Sequence, residues 1–380
     1  MNFLKPLAAA LAALAVTAVT AAQADLTIGV SLPLTGPASG LGIPVNNGFK
    51  LWPQTIAGEK VNLIVLDDAT DPTNGVRNAR RLVTDDKVDL IIGSAATPVA
   101  IAMSEVAAES GTPQLAMSPI PLPPGKDTWS FRMAHSAAVM AHAMVEHMKK
   151  GGVKTVGFLG YTDAYGESWL KDFTAKAEPA GIKVVAAERF ARTDTSVTGQ
   201  ALKLATANPD AMLVVASGSG AAMPHKAIVE RGYKGRIYQT HAAASRDLMR
   251  VGGKDVEGAF VVSGPATVAE QLPDTHPSKK EALKYVEGYE KLHGAGMRNQ
   301  FAAHTYDALL LLEQAVPVAL AKAKPGTKEF RAALRDALET GKPVAASQGT
   351  LHYTPQDHWG FTNDSAVVMK VVDGDWKVEK

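Results

Sequence analysis

The sequence predicts an α/β protein of two similar lobes, each a parallel sheet flanked by helices. Three observations predict it. Short β-branched or aliphatic runs alternate with longer stretches of helical period. The same rhythm starts again as a second series near Lys154. Finally, 380 residues are too many for one ordinary core, while 46% hydrophobic and 20% charged residues are typical of a soluble globular chain.

Taken in order, residues 1–24 carry one lysine, an apolar run from Leu7 to Val19 and Ala22-Gln23-Ala24 before Asp25. This is the pattern of a cleavable secretory signal peptide, and the apolar run is too short to span a bilayer. The first series follows with LTIGVSL, VNLIVLD, VDLIIG and PQLAMS, each leading through a Gly/Pro-punctuated loop into a helix. Ala137 to Lys150 reads as an amphipathic helix, with Met140, Met144 and Met148 on one face and His142, Glu146, Lys149 and Lys150 on the other. The second series is TVGFLG, IKVVAAE, AMLVVAS, GRIYQT and GAFVVSG. Long helices are expected at Lys279–Leu292, Gln300–Ala321 and Lys328–Glu339, then strands at GTLHY, SAVVMKVV and DWKVE in a tail that returns to pack on both lobes.

Formal charge is +1 without a basic block or acidic tail, which argues against a nucleic-acid or membrane-surface partner. With no cysteine the chain has no disulfide, no thiolate metal site, no cysteine nucleophile and no lipid-bearing cysteine. An exported, unanchored protein, periplasmic and monomeric, is the expectation.

Searching for chemistry gives only partial matches. SGSG at Ser217–Gly220 lacks the spacing of a nucleophile elbow and reads as a strand-to-helix turn. His142 and His147 are not spaced to share a metal on one helical face. Asp67 and Asp68 either form a carboxylate pair for acid/base work or a metal, or brace the loop before Asp71-Pro72, an N-cap followed by a first-turn proline. Neither a metal nor a cofactor is expected. Small hydroxyl residues do gather at strand ends: Thr35 and Ser39, Ser94 and Thr97, Ser118. Ligands of open α/β sheets bind beyond the carboxyl ends of strands. Thr97 as N-cap with Pro98 at the first helical position forms an anion site suited to a carboxylate, or an ordinary cap.

The ordered set LTIGVSLPLTGPASGLG, LDDATDP, VDLIIG, FR and GYTDAYGESW resembles the periplasmic substrate-binding proteins of branched-chain amino-acid type that feed ABC transporters, over essentially the whole mature chain. The resemblance implies two flavodoxin-like lobes joined by three hinge crossovers near His135, Gly264 and Ser347, with a ligand cleft between them. It implies an N-terminal lobe of residues 25–135 plus 264–346 and a C-terminal lobe of 136–263 plus 347–380. It also implies an inner-membrane ABC permease as partner.

Carried onto this chain, the carboxylate-binding positions of that family fall at Thr97 and at Ser118 to Ile120, and its second lobe contributes Tyr165 and Ser217. The carboxylate that pairs with a ligand's α-ammonium in amino-acid binders falls on His241. An unpaired buried ammonium is costly, so the ligand is expected to lack one. His241 then donates to a hydroxyl, methoxy or carbonyl group at the ligand's far end, or is a structural histidine bonded to a loop carbonyl. A first-loop tyrosine of the family is Leu41 here, and two cysteines of some members fall at Thr70 and Ala96. With Leu41, Met117, Ile120, Tyr165 and Phe301 near the cleft, and Ala96 beside Thr97 among the ligand-binding positions, the expected ligand is an aromatic carboxylate such as a hydroxybenzoate or phenylpropenoate. The alternatives are a branched-chain or other amino acid for the same kind of importer, a ligand-sensing receptor domain, or a secreted hydrolase using Asp67/Asp68 or His241.

Overall fold

The alternation of strands and helices sorts into two separate sheets. The computed structural model describes residues 25–379, and the leader expected over residues 1–24 lies outside them. The first sheet comprises β1 (Leu26–Leu32), β2 (Thr55–Ile56), β3 (Glu59–Asp67), β4 (Leu90–Gly93), β5 (Gln114–Ala116) and β6 (Ser130–Arg132), in spatial order β2-β3-β1-β4-β5-β6. Only the short β2–β3 pair in it is antiparallel. Between its strands run α1 (Ser39–Gly48), α2 (Pro72–Thr84) and α3 (Thr97–Ser110).

After α4 (Ala137–Lys150) the second sheet is built from β7 (Thr155–Tyr161), β8 (Lys183–Phe190), β9 (Ala211–Val215), β10 (Arg236–Gln239) and β11 (Phe260–Ser263). Its helices are α5 (Ala164–Ala177), α6 (Thr198–Ala207), α7 (Ala222–Glu230) and α8 (Arg246–Gly252). The chain then forms α9 (Lys279–His293), α10 (Gln300–Leu320) and α11 (Lys328–Thr340), and α10 packs on α1 of the first lobe. It closes with a separate hairpin of β12 (Val344–Ala346) and β13 (Gly349–Leu351), then β14 (Val367–Val372) and β15 (Asp375–Val378), antiparallel additions to the second sheet. The GTLHY run therefore belongs to a hairpin of its own, and the order of the second sheet is β15-β14-β11-β10-β9-β7-β8.

Burial patterns follow position in these sheets. β1 and β9 are covered by helices on both faces and read as near-continuous apolar runs, as central parallel strands do. β3 and β8, toward the sheet margins, alternate between more and less buried residues. Setting the short β2 aside, both sheets have the doubly wound order in which the first strand lies between the second and third, so each has a switch point where its connections diverge. These two switch points face each other, and α3 meets α5 across the gap.

The crossovers between the lobes are tied together by side chains. His135 Nε2 lies 2.9 Å from the Gln348 carbonyl oxygen, and the Ala266 N–H donates to Gln348 Oε1 at 3.3 Å. Gln348 Nε2 donates to the Gln300 carbonyl at 3.2 Å, while Ser263 Oγ donates to Gln300 Oε1 at 3.0 Å. Asp307 accepts the N–H groups of Ser347 at 2.8 Å and Gln348 at 3.0 Å. Gly264 sits inside this knot: a β-carbon there would lie 2.5 Å from Gln348 Oε1.

Candidate functional site

A narrow cavity lies between the two switch points. The strand-end loops of both lobes reach it. From the first lobe come Ala95 and Thr97 after β4, Met117, Ser118 and Pro119 after β5, and Ala134 after β6, with Leu41 of α1 and Phe301 and His304 of α10. Facing them are Tyr165 of α5, Arg192 after β8, Ser217 after β9, and His241 and Ala242 after β10.

Eight of the positions expected from the sequence thus lie together: Leu41, Thr97, Met117, Ser118, Tyr165, Ser217, His241 and Phe301. Two do not reach the lining. Ala96 is replaced there by its neighbour Ala95, and Ile120 packs with Ala100 and Ala116 in a small apolar cluster behind Pro119.

The expected cap at Thr97 is shifted by one residue. Ala96 takes the extended backbone of the N-cap, α3 begins at Thr97, and the Thr97 hydroxyl donates to the Pro119 carbonyl at 3.0 Å instead of capping. Ser118 Oγ donates to the Ser94 carbonyl at 3.1 Å. Both hydroxyl protons are thereby engaged within the protein, leaving the oxygens to accept. What the first lobe offers an anion is the free end of α3 and its first-turn N–H groups.

Below Ser94 lies Asp68. It accepts from Ser94 Oγ at 2.8 Å, and burial pushes its carboxyl up to about 6. Asp67 accepts the N–H groups of Leu34, Thr35 and Ala69 and the Thr35 hydroxyl, while Asp71 caps α2 through the Asn74 N–H. These aspartates brace the loops beside the cleft, and none of them lines the cavity.

Tyr165 is placed by a close approach. Asp163 caps α5 through the N–H groups of Tyr165 and Gly166, and a β-carbon on residue 166 would collide with the Tyr161 carbonyl oxygen. Its phenol donates to Thr240 Oγ1 at 2.8 Å, so Tyr165 turns its ring rather than its hydroxyl to the cavity.

Arg192 is the principal residue that sequence reasoning missed. Its side chain is only 13% exposed, Nε pairs with Asp163 Oδ2 at 2.5 Å, and Nη1 donates to Ser217 Oγ at 3.0 Å. The guanidinium also lies over the Tyr161 ring, 4.1 Å from its centre, a favourable cation–π arrangement. The one available signal was an arginine immediately beyond the carboxyl end of a strand, in ERFARTD. Histidine 304 was missed as well, a lone histidine in the mostly apolar run of α10.

His241 is buried against Trp169, with ring centres 5.7 Å apart, and its carbonyl accepts from Gln300 Nε2 at 2.5 Å. Burial pushes its imidazole down to about 3, and the nearby His135 imidazole adds to the shift. His304 is likewise held well below the ordinary histidine range by burial, and His135 to about 4. Burial thus favours the neutral form of all three rings.

Comparison with known proteins gives three findings. The model of a family described as "Periplasmic binding protein" matches residues 25–375. Among curated relatives, the Leu/Ile/Val-binding protein homolog 3 of Brucella melitensis is 25% identical over 348 residues, 88% of either chain. Among solved structures, an extracellular ligand-binding receptor from Rhodopseudomonas palustris is 48% identical with a TM-score of 0.92, over 94% of this chain and 99% of that one. A more distant likeness, 19% identical with a TM-score of 0.78 over 93% and 95% of the two chains, is to an R. palustris ABC-transporter solute-binding protein solved with benzoate.

Proposed function

This chain belongs to the periplasmic binding protein family, whose members bind small solutes for ABC permeases, and from that premise we propose that its cleft captures an aromatic monocarboxylate. One observation carries the reading: the cavity lining holds Arg192, His241 and His304 and no carboxylate. Asp163, the nearest acid of the second lobe, is engaged on one oxygen by the cap of α5 and on the other by Arg192. An amino-acid ligand would bring its α-ammonium into a site without an anionic partner, at a cost of several kcal/mol (about 3–5).

In this reading the carboxylate meets the α3 end beside Thr97 and Ser118. Leu41, Met117, Phe301 and the Tyr165 ring wall the aromatic body, and His241, Ser217 and Arg192 read the far end. The lobes, taken as 25–135 plus 264–346 and 136–263 plus 347–380, close on the ligand, and the closed monomer docks on the permease. An R. palustris solute-binding protein of the same fold was solved with benzoate, which supports an aromatic acid as the ligand class.

Thermal shifts of the refolded, ligand-stripped protein test the class. A ligand at about 100 times its dissociation constant adds roughly 2.7 kcal/mol. Shifts with hydroxybenzoates or phenylpropenoates, and none with leucine, valine or phenylalanine, are expected. A shift with leucine or valine would sink the reading and return the chain to amino-acid capture.

A further inference from the structure

Three imidazoles converge where the cleft meets the hinge, and the fold gives two of them too few partners. His241 and His304 line the cavity, with residue exposures of 3% and 1%. His304 has no hydrogen-bond partner on either ring nitrogen and His241 none on Nδ1. Behind them, His135 is held through Nε2 by the Gln348 carbonyl and lies against the Ser365 backbone. An unpaired buried polar group is costly, and such groups in native proteins call for a reason. The open space beside His241 and His304 is the ligand's own.

The charged and titratable neighbours do not supply the missing partner. Arg192 faces the same space from the second lobe and is paired with Asp163. Asp307, a turn along α10, is engaged by the Ser347 and Gln348 N–H groups, and burial pushes it up to about 7. Asp68 is engaged beneath Ser94, and the Tyr165 phenol on Thr240. Among the described residues there is also no cluster of metal-ligating side chains.

We propose that the cavity takes up one proton together with its anionic ligand, and that His304 and His241 hold that proton between them. The inference rests on the carboxylate reading above. Burial and the neighbouring imidazoles oppose a charge on either ring. A carboxylate at the α3 end faces both rings across the same small cavity and offsets that opposition, because an opposite charge in a site shielded from water favours the protonated form. A second proton is opposed by the first, so uptake stops at one. Capture then strengthens as the surroundings acidify, and the site discriminates by net charge: a monoanion is neutralised on binding, whereas a zwitterion brings no net charge to offset the proton.

The test is calorimetric titration of the ligand-stripped protein with 4-hydroxybenzoate at pH 7.5, in buffers of different ionisation enthalpy. Uptake of about 0.5–1 proton is expected, with the dissociation constant rising by up to about tenfold per pH unit from 7 to 8. His304→Gln and, as a second variant, His241→Gln should still bind but lose most of the uptake and the pH slope. A slope unchanged in both variants assigns the effect to Asp307 and overturns the proposal. Binding of 4-hydroxybenzoate without uptake also overturns it and leaves the ligand class intact. Leucine binding in its place with proton uptake overturns both the ligand class and the discrimination by net charge. Leucine binding without uptake, or no binding of either probe, overturns the ligand class and the histidine pair together.

Discussion

Arginine 192 and Tyr165 show how side chains in one cavity take different parts. Arg192 brings a charge that is mostly withdrawn from water, so its hydrogen bonds are of the charge-assisted kind, worth about 1.5–3 kcal/mol. Arg192→Gln should weaken aromatic monocarboxylate binding by about ten- to a hundredfold, read by titration calorimetry. The Tyr165 hydroxyl points at Thr240 and away from the ligand space. Tyr165→Phe should therefore cost about 1 kcal/mol of stability and leave affinity nearly unchanged. A large affinity loss in that variant would mean that the phenol turns into the cleft when ligand enters. Gly166→Ala is the harsher change, since its β-carbon meets a backbone carbonyl that has nowhere to go. A loss of a few kcal/mol in urea unfolding is expected.

At the scale of elements, what was legible in the sequence was what periodicity and punctuation encode. The central runs LTIGVSL and AMLVVAS are strands because β-branched and aliphatic residues fill both faces, and α10 and α11 begin at the expected residues, Gln300 and Lys328. The short β2, β6 and β12 were missed, because two or three residues carry no period of their own. The site was legible where it lies on strand ends following recognisable runs, as at Thr97, Ser118, Ser217 and His241. Arg192 and His304 escaped because an arginine in a loop and a histidine in an apolar helix look alike whether they face solvent, core or ligand. The hinge was illegible for a related reason: the links from Gln300 to Ser263, Gln348 and His241 join residues far apart in the chain. Gln300→Ala removes that bridge between crossovers and cleft. We expect weaker binding, with a dissociation constant raised by about tenfold, and a ligand-free form that scatters X-rays as a more open particle.

For the whole molecule, pH acts through buried groups of opposite sign. Burial depresses His135 and His225 to about 4 and His241 to about 3, with His304 lower still than an ordinary histidine. The unfolded chain therefore binds more protons than the folded one below pH 6.5, and stability is lost as pH falls from 6.5 toward 4. Asp68 and Asp307, raised to about 6 and about 7, act the other way, because their folded forms take protons first. His147 and His276 are also depressed, and Asp89 and Asp172 also raised; with six histidines against four acids, the ligand-free melting temperature should decline from pH 6.5 to 4.5, measured by scanning calorimetry. A midpoint that rises over that range would show that the acids dominate. Saturating ligand should flatten the decline if the cleft imidazoles accept a proton with it.

Trp169 lies under the cleft with its ring beside that of His241. A protonated imidazole next to an excited indole accepts an electron from it and darkens its emission, which a neutral one does weakly. The protein therefore carries its own optical gauge of the charge on the cleft floor. Intrinsic fluorescence that dims on ligand addition, and does so less in a Trp169→Phe background, would report in milliseconds what calorimetry averages over minutes.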